Sequence, residues 1–468
     1  MCISSMLRRI LIPIGYFLVV AAVVLITVGL VAYGQGIEYD FKTGRIIHTG
    51  LVIIQSSPSS VPVSLNGKTT KKKTSYRASF EAGDYTFELA KDGYYTWKKT
   101  LKVVSSEVTL AQYVLMVPRH PNTTTLDTKT QIVAQSISKD HRHVAYATGG
   151  PEAAVYTLDL GNPKPVKIYS AKVATPEQPA ETLLDVTWND DASKLLVASQ
   201  NGPTATHHLM NADGASAVNL TQQYGFNFTG LKFNPANAQQ LYWVSPDGLR
   251  RLDVGAQSVS AVLADKVTGF QMAPDRVLYV QTTELGHSLW SLDGRGHKQE
   301  LIQALPESDT YAMAFTTYRG TEELAIVPSK TRVGTLYSDI YGTNPVAKTI
   351  ARDVSEAAFA ADGHLLTFSS ATNLVTYDLE LSTLTGKLVT YHASGIHDLA
   401  AVTWFDNFHL LANEGGHLML MEYDGANGTD LGALTGTFPA YATADARSIV
   451  ALRPVGSGVG YTQITIKP

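Results

Sequence analysis

Thiols are nearly absent from this 468-residue chain: Cys2 is its one cysteine. A cysteine-built zinc site, an iron–sulfur cluster, a CxxC redox pair and an internal disulfide each need at least two thiols, so all four are excluded. Charge is also sparse. Charged residues make up 17% of the chain, and Lys+Arg 37 against Asp+Glu 41 leaves a net charge of −4. No overall basic footprint argues for nucleic acid. A G-x-S-x-G nucleophile elbow is missing, and Gly456-Ser457-Gly458-Val459-Gly460 precedes a final strand rather than opening a helix, which reads as a hairpin turn and not a nucleotide loop. What remains, with aromatics at 9%, Gly 37 and Pro 20, is the profile of a β-rich globular chain of more than one domain.

One long apolar run stands out. From Ile10 to Tyr33, 24 consecutive residues carry no formal charge, matching the ~20 a helix needs to cross a bilayer. Arg8 and Arg9 precede it and Glu38 and Asp40 follow, so the positive-inside bias puts a tail of residues 1–9 in the cytoplasm and everything beyond the run outside. Ala32-Tyr33-Gly34 offers small residues to a signal peptidase, but the run exceeds the ~7–15 residues of a signal h-region. The expectation is an uncleaved, single-pass signal-anchor helix over 10–33 in the cell membrane. Cys2 lies before the run, where a lipoprotein acceptor would not. Residues 34–49 form a linker, with Asp40 to Ile47 reading as a tight turn at Gly44 that enters a strand.

Beyond the linker, Leu51–Gln55, Val61–Leu65, Tyr85–Ala90, Thr100–Val104 and Val108–Leu115 are short β-rich runs. Ser57-Pro58-Ser59, Asn66-Gly67, Ala82-Gly83-Asp84 and Lys91-Asp92-Gly93 punctuate them as turns. A small β-sandwich over 50–118 follows. Its residues Ser57-Pro58, Val63-Ser64-Leu65-Asn66-Gly67, Gly83-Asp84-Tyr85-Thr86-Phe87 and Lys91-Asp92-Gly93-Tyr94 resemble the PEGA domain. The name-giving Pro-Glu-Gly-Ala becomes Pro58-Ser59-Ser60-Val61, so only its proline survives. The resemblance implies an extracytoplasmic spacer or adhesion-type module and brings no catalytic residues.

Charge is distributed unevenly. Residues 50–117 hold 9 Lys/Arg against 5 Asp/Glu, net +4, whereas residues 118–468 carry net −10. The cluster Lys68, Lys71, Lys72, Lys73 and Arg77 is a candidate contact for anionic head groups or wall polymers. The same composition also suits a solvated hairpin loop.

A repeat fills residues 119–468. Each unit has an apolar anchor, a polar turn and a second β-run. The anchors are Ile137, Trp188, Phe233, Met272, Phe315, Phe359, Trp404 and, more weakly, Ala442, spaced 51, 45, 39, 43, 44, 45 and 38 residues apart. That is the length of one four-stranded propeller blade, so the run is expected to be an eight-bladed β-propeller, or seven blades with a divergent cap. The eighth unit ends at its third strand, and Asn122–Thr128 is placed to supply the fourth. Asn211-Ala212-Asp213-Gly214 leading to Val218-Asn219-Leu220-Thr221, and Tyr423-Asp424-Gly425 leading to Leu431, resemble TolB-like and WD40-like repeats. Gly-His and Trp-Asp dipeptides do not recur, so that resemblance implies no partner.

Chemistry is harder to find. Adjacent His207 and His208 face opposite sides of a strand and cannot share an ion. His141 and His143 sit in a turn without a third ligand nearby, and Asn189-Asp190-Asp191 suits local hydrogen bonding better than calcium. Ser245-Pro246-Asp247-Gly248 begins like a sialidase box but lacks its aromatic end. Sequons at Asn122, Asn219, Asn227 and Asn427 occur at chance frequency for a Thr-rich β protein. Trp188 and Trp404 lie at core spacing. No catalytic, cofactor or metal residue emerges. The expectation is an all-β, membrane-anchored, non-enzymatic binding protein whose propeller recognises an envelope protein or polysaccharide. An envelope hydrolase or lyase with its active site in the channel is the alternative, and a cytoplasm-facing sensor is disfavoured by Arg8-Arg9.

Overall fold

A computed structural model describes residues 3–34, 36–40, 44–176 and 178–467, with the side chains of the first helix described from Tyr16 to Ala32. The chain forms two compact units, divided between His120 and Pro121.

The first unit opens with helix α1 (Ile3–Gly34). Among the described residues no helix is long and apolar enough to cross a membrane. The expected tail 1–9 and part of the 10–33 span fall outside the described side chains. Strand β1 (Ile37–Asp40) then pairs with β2 (Arg45–Ser57), in register from Ile37↔His48 to Asp40↔Arg45. β2 is a single 13-residue strand running from the expected linker into the domain. β3 (Pro62–Leu65), β4 (Lys68–Lys73), β5 (Tyr76–Glu81), β6 (Gly83–Leu89), β7 (Trp97–Val103) and β8 (Val108–Leu115) complete two four-stranded sheets. One is β1-β2-β5 with β8 parallel on β2, and the other is β4-β3-β6-β7. Their inner faces enclose Val52, Ile54, Val63, Phe87, Leu89 and Trp97, none more than 2% exposed. At Asn66-Gly67 both φ angles are positive, 47° and 77°, and Leu65 pairs with Lys68. This two-residue loop matches the twist of its strands.

The second unit begins with β9 (Asn122–Lys129), followed by four-stranded antiparallel sheets over 132–170, 182–219, 232–259, 267–305, 311–352, 356–392 and 399–433. An eighth sheet has three strands within 441–465 and takes β9 as its fourth, from Val459↔Lys129 to Thr465↔Asn122. First strands lie against one another between the first and second, third and fourth, fourth and fifth, fifth and sixth, and seventh and eighth sheets, and shared apolar clusters join the second to the third, the sixth to the seventh and the eighth to the first, so each sheet is stacked on the next. Second strands are therefore covered on both faces and read as continuous apolar runs, such as Leu195-Leu196-Val197 and Leu324-Ala325-Ile326-Val327, rather than as alternations. Val186 packs with Ala145 and Val155, Phe233 with Leu196, Tyr242 with Tyr279, Leu278 with Leu324, Leu336 with Phe368, and Leu374 with Leu410. Between the seventh and eighth sheets, Thr403 Oγ1 donates to the Ala440 carbonyl at 2.6 Å. The eighth meets the first through Val450, Leu452 and Tyr461 against Val144 and Tyr146. This cyclic stack is a β-propeller.

Two polar clusters are buried in it. At the junction of first and last sheets, the fully buried Tyr146 hydroxyl donates to Asp127 of β9, Lys129 Nζ lies 2.9 Å from Asp127 Oδ2, and Tyr461 donates to Gln135 Oε1 at 2.8 Å. Between the first and second sheets, Glu181 accepts from Ser199 Oγ at 2.5 Å, the Lys172 amide at 2.9 Å and Tyr169 at 2.8 Å, with His208 Nε2 at 3.7 Å. Burial opposes the Glu181 charge, but those hydrogen bonds and His208 outweigh it and hold the carboxyl low. Burial lowers both His207 and His208, reinforced at His207 by its neighbour and opposed at His208 by Glu181.

Replacing Asp127 by Ala strands the Tyr146 hydroxyl and is expected to cost about 1–3 kcal/mol, whereas Asp127→Asn keeps an acceptor; denaturant unfolding compares the two. The histidines set a pH dependence. Unfolded imidazoles take up protons near 6.5 while the buried ones do so only at lower pH, so stability is present above the unfolded value and drains as pH falls below it. The thermal midpoint should fall between about pH 7.5 and 5.5, and a His207→Gln, His208→Gln variant should lose part of that slope.

Candidate functional site

Lys68, Lys71, Lys72 and Lys73 all stand on β4, the edge strand of its sheet, while Arg77 stands on β5 of the opposite sheet. β4 is a strand and not a solvated loop, but it is bulged: Pro62 pairs with Lys73 and Ser64 with Thr69. A charged, bulged edge resists pairing with another chain. Lys72 lies 5.6 Å from the Tyr76 ring centroid. Lys68, Lys71 and Lys73 are exposed and make no ion pair among the described residues. Arg77 instead lines a cavity of about 480 Å³ with Glu38 and Glu107.

The histidines behave as strand geometry dictates. His207 packs 5.9 Å from Phe228 and His208 5.2 Å from Tyr169, on opposite faces. His141 Nδ1 is 2.8 Å from the Ala442 carbonyl, and His143 Nδ1 is 4.0 Å from Asp140. Asn189 and the Ser193 amide both donate to Asp191 Oδ1, at 2.6 and 2.9 Å, closing their own turn. Ser245 Oγ and Arg250 bind Asp247. Val455 pairs with Gly458 across the Gly456-Ser457 turn. Among the described residues no three His, Cys, Asp or Glu side chains are grouped to hold a metal. On the first strands, Asp185, Lys232 and Glu356 stand on the second, third and sixth sheets, and Lys232 Nζ is spent on the Phe270 carbonyl and Gln271 Oε1 at 2.9 and 3.0 Å.

One concave feature among the described residues is not revealed by residue spacing. A cavity of about 710 Å³ opens where the first strands of the first, sixth, seventh and eighth sheets turn into their second strands. Phe359, Trp404 and Tyr441 line it, with Asp140, Asp406 and Asn407 among its polar groups. Burial pushes the Tyr441 phenol up to about 12, so its hydroxyl stays protonated at neutral pH. Burial opposes the Asp140 charge, but Ser138, the Arg142 amide, His143 and Arg142 together hold its carboxyl below the ordinary range. Lys139 Nζ is tied to Asp190 Oδ2 at 2.5 Å. Trp404 serves two ends: Nε1 donates to the Ala358 carbonyl of the preceding sheet at 3.3 Å, as Trp188 Nε1 does to Ser136 at 3.2 Å, and the side chain also borders the cavity. The repeating signal is the turn aspartate. Asp140, Asp191, Asp362, Asp406 and Asp445 each accept the amide two residues on.

Residues 49–118 match the PEGA domain. There, Ser60 takes the third place of the signature at φ +62°, a left-handed position that glycine occupies without strain. No curated protein matches the chain. Among solved structures it is similar to the Dos1 propeller (12% identity, 74% of this chain and 95% of that one, TM-score 0.47) and to Saccharomyces cerevisiae Sqt1 (10%, 75% and 100%, 0.49). It is also similar to the dihydro-heme d1 dehydrogenase NirN in complex with DHE (14%, 65% and 68%, 0.47). Likeness at this level says nothing of what the chain binds. By its own topology and the match over 49–118, the chain carries a PEGA domain followed by a β-propeller.

Proposed function

We propose a membrane-anchored, extracytoplasmic, non-enzymatic binding protein, in which the apolar helix holds the chain, the PEGA domain spaces it, and the propeller recognises a protein or glycan of the cell envelope. In this reading the eight sheets are eight blades of one ring. The observation that carries it is the cavity at the strand turns: turns from four sheets converge on aromatic and carboxylate groups, the composition of a recognition pocket. Anchoring draws on α1. Its 24-residue apolar run spans about 36 Å at 1.5 Å per residue, against a hydrocarbon core of about 30 Å. The described side chains are open, with Phe17 72%, Leu25 72% and Leu30 66% exposed, and such a surface calls for lipid. The exposed lysines of β4 would meet anionic groups at an envelope surface.

Protease applied to intact cells should digest the propeller; protection would reverse the orientation. A fragment from Ile37 onward should cosediment with isolated cell envelopes. Retention after the envelopes are stripped of protein means a glycan partner, loss means a protein one, and no sedimentation at all refutes the recognition role. Lys68→Gln, Lys71→Gln and Lys73→Gln should each weaken adsorption to anionic vesicles about fivefold at low salt, from roughly 1 kcal/mol per charge.

A further inference from the structure

We infer that the cavity lined by Phe359, Trp404 and Tyr441 binds a neutral or N-acetylated saccharide, an inference that rests on the recognition role proposed above. At about 710 Å³ it falls within the roughly 300–1,000 Å³ of small-molecule sites. That is larger than one inserted protein side chain fills, and large enough for a disaccharide. Its walls combine two chemistries that a pyranose needs at once. The C–H faces of sugar rings are apolar and pack on aromatic surfaces, which Phe359, Trp404 and Tyr441 supply from three different sheets. Sugar hydroxyls need fixed acceptors and donors beside those faces, and Asp140, Asn407 and His141 line the same cavity.

The polar groups are pre-positioned by the fold. Asp140 Oδ1 is occupied by Ser138 Oγ at 2.6 Å and the Arg142 amide at 3.1 Å, while Oδ2 has no contact nearer than Arg142 Nε at 4.0 Å. A carboxylate held by one oxygen presents the other to a hydroxyl donor. The Ala442 carbonyl can only accept, so the 2.8 Å contact puts a proton on His141 Nδ1 and fixes the ring with Nε2 as its second polar atom. Asn407 adds both a donor and an acceptor.

Charge selects among saccharides. Lys139 is neutralised by Asp190, and Asp140 and Asp406 give the lining a negative balance. Uronic acids and phosphate-bearing polymers are repelled there, the reverse of the exposed β4 lysines. A neutral ring loses nothing.

The test is direct titration of the full chain in detergent micelles with cellobiose, N,N′-diacetylchitobiose and a uronic-acid disaccharide, read by calorimetry and tryptophan fluorescence. Saturable binding of a neutral disaccharide is expected, with the uronic-acid disaccharide at least about tenfold weaker, or 1.4 kcal/mol. Phe359→Leu, which removes an aromatic face at similar volume, and Asn407→Ala should each weaken binding about tenfold or more with an unchanged thermal midpoint. Trp404→Phe, which keeps a ring, should retain more binding than Trp404→Ala; the first two variants stand in if Trp404→Ala does not fold. Three results overturn the inference: no neutral sugar binding at millimolar concentration, preference for the acidic sugar, or full binding by Phe359→Leu. Envelope sedimentation that persists beside a blank titration would refute this site while leaving the recognition role standing.

Discussion

Everything in the propeller depends on the pairing of β9 with the strand Gly458–Thr465. A stack of sheets built by local hairpins leaves two free ends, and each end is a sheet face with no neighbour to cover it. The apolar side chains that would be stranded are Val144 and Tyr146 on one side and Val450 and Leu452 on the other, all buried where the two ends meet. Drawing the fourth strand of the last sheet from the chain just before the first sheet ties those ends together. Asp127 and Lys129 on that strand then reach across to the first sheet, where Asp127 accepts from Tyr146 and Lys129 lies 4.5 Å from the Tyr156 ring centroid. Closure is thus both a backbone ladder and a side-chain clasp. A ring so closed has no free terminal sheet from which to fray.

Within the ring, first strands pose a separate problem, because each is the edge of its sheet and has backbone carbonyls without a ladder partner. Side chains from adjacent sheets answer it repeatedly. Trp188, Trp404, Lys232, Thr403 and Gln135 each donate to a first-strand or adjoining carbonyl of a neighbouring sheet. A purely apolar side chain has no donor and cannot do this, which gives a lysine and a glutamine a role in an otherwise apolar setting. It also explains why Trp404 reads as a packing residue from its spacing and yet borders the cavity: the indole N–H is committed to the wall.

Much of this architecture was legible in the sequence. The anchors from Ile137 to Ala442, the tight turns and the incomplete last unit predict the sheets and the strand that completes them, because blades repeat a fixed chain length whatever their side chains. The PEGA-like runs were legible because turn residues such as Asn66-Gly67 punctuate short β-rich segments. β4 was not, since Lys-Thr-Thr-Lys-Lys-Lys has no apolar alternation; an edge strand needs backbone pairing on one side only and tolerates a polar composition. β5 does alternate, with Tyr76, Ala78 and Phe80 on the core side, but it is short and adjoins that polar stretch. The cavity was the least legible feature of all. Its residues come from four sheets as far as 300 positions apart, and the aspartates that define it look in sequence like ordinary turn residues.

They are ordinary turn residues, and that is the physical point. Asp140 and Asp406 are present because a sharp turn between strands leaves amides that need an acceptor, and a short carboxylate reaches them. Each such bond uses one oxygen and sets the carboxylate on the loop face. Bringing turns from neighbouring sheets together therefore gathers Asp140 and Asp406 at one cavity as a by-product of folding. The PEGA domain arrives at the opposite sign by a comparable route, since lysines on β4 guard an exposed edge. Both charged surfaces thus come from local structural needs, and the selectivity we infer at the cavity follows from where the fold brings those residues together. Substitutions that keep the turn acceptor but remove the charge, such as Asp to Asn, separate the two roles.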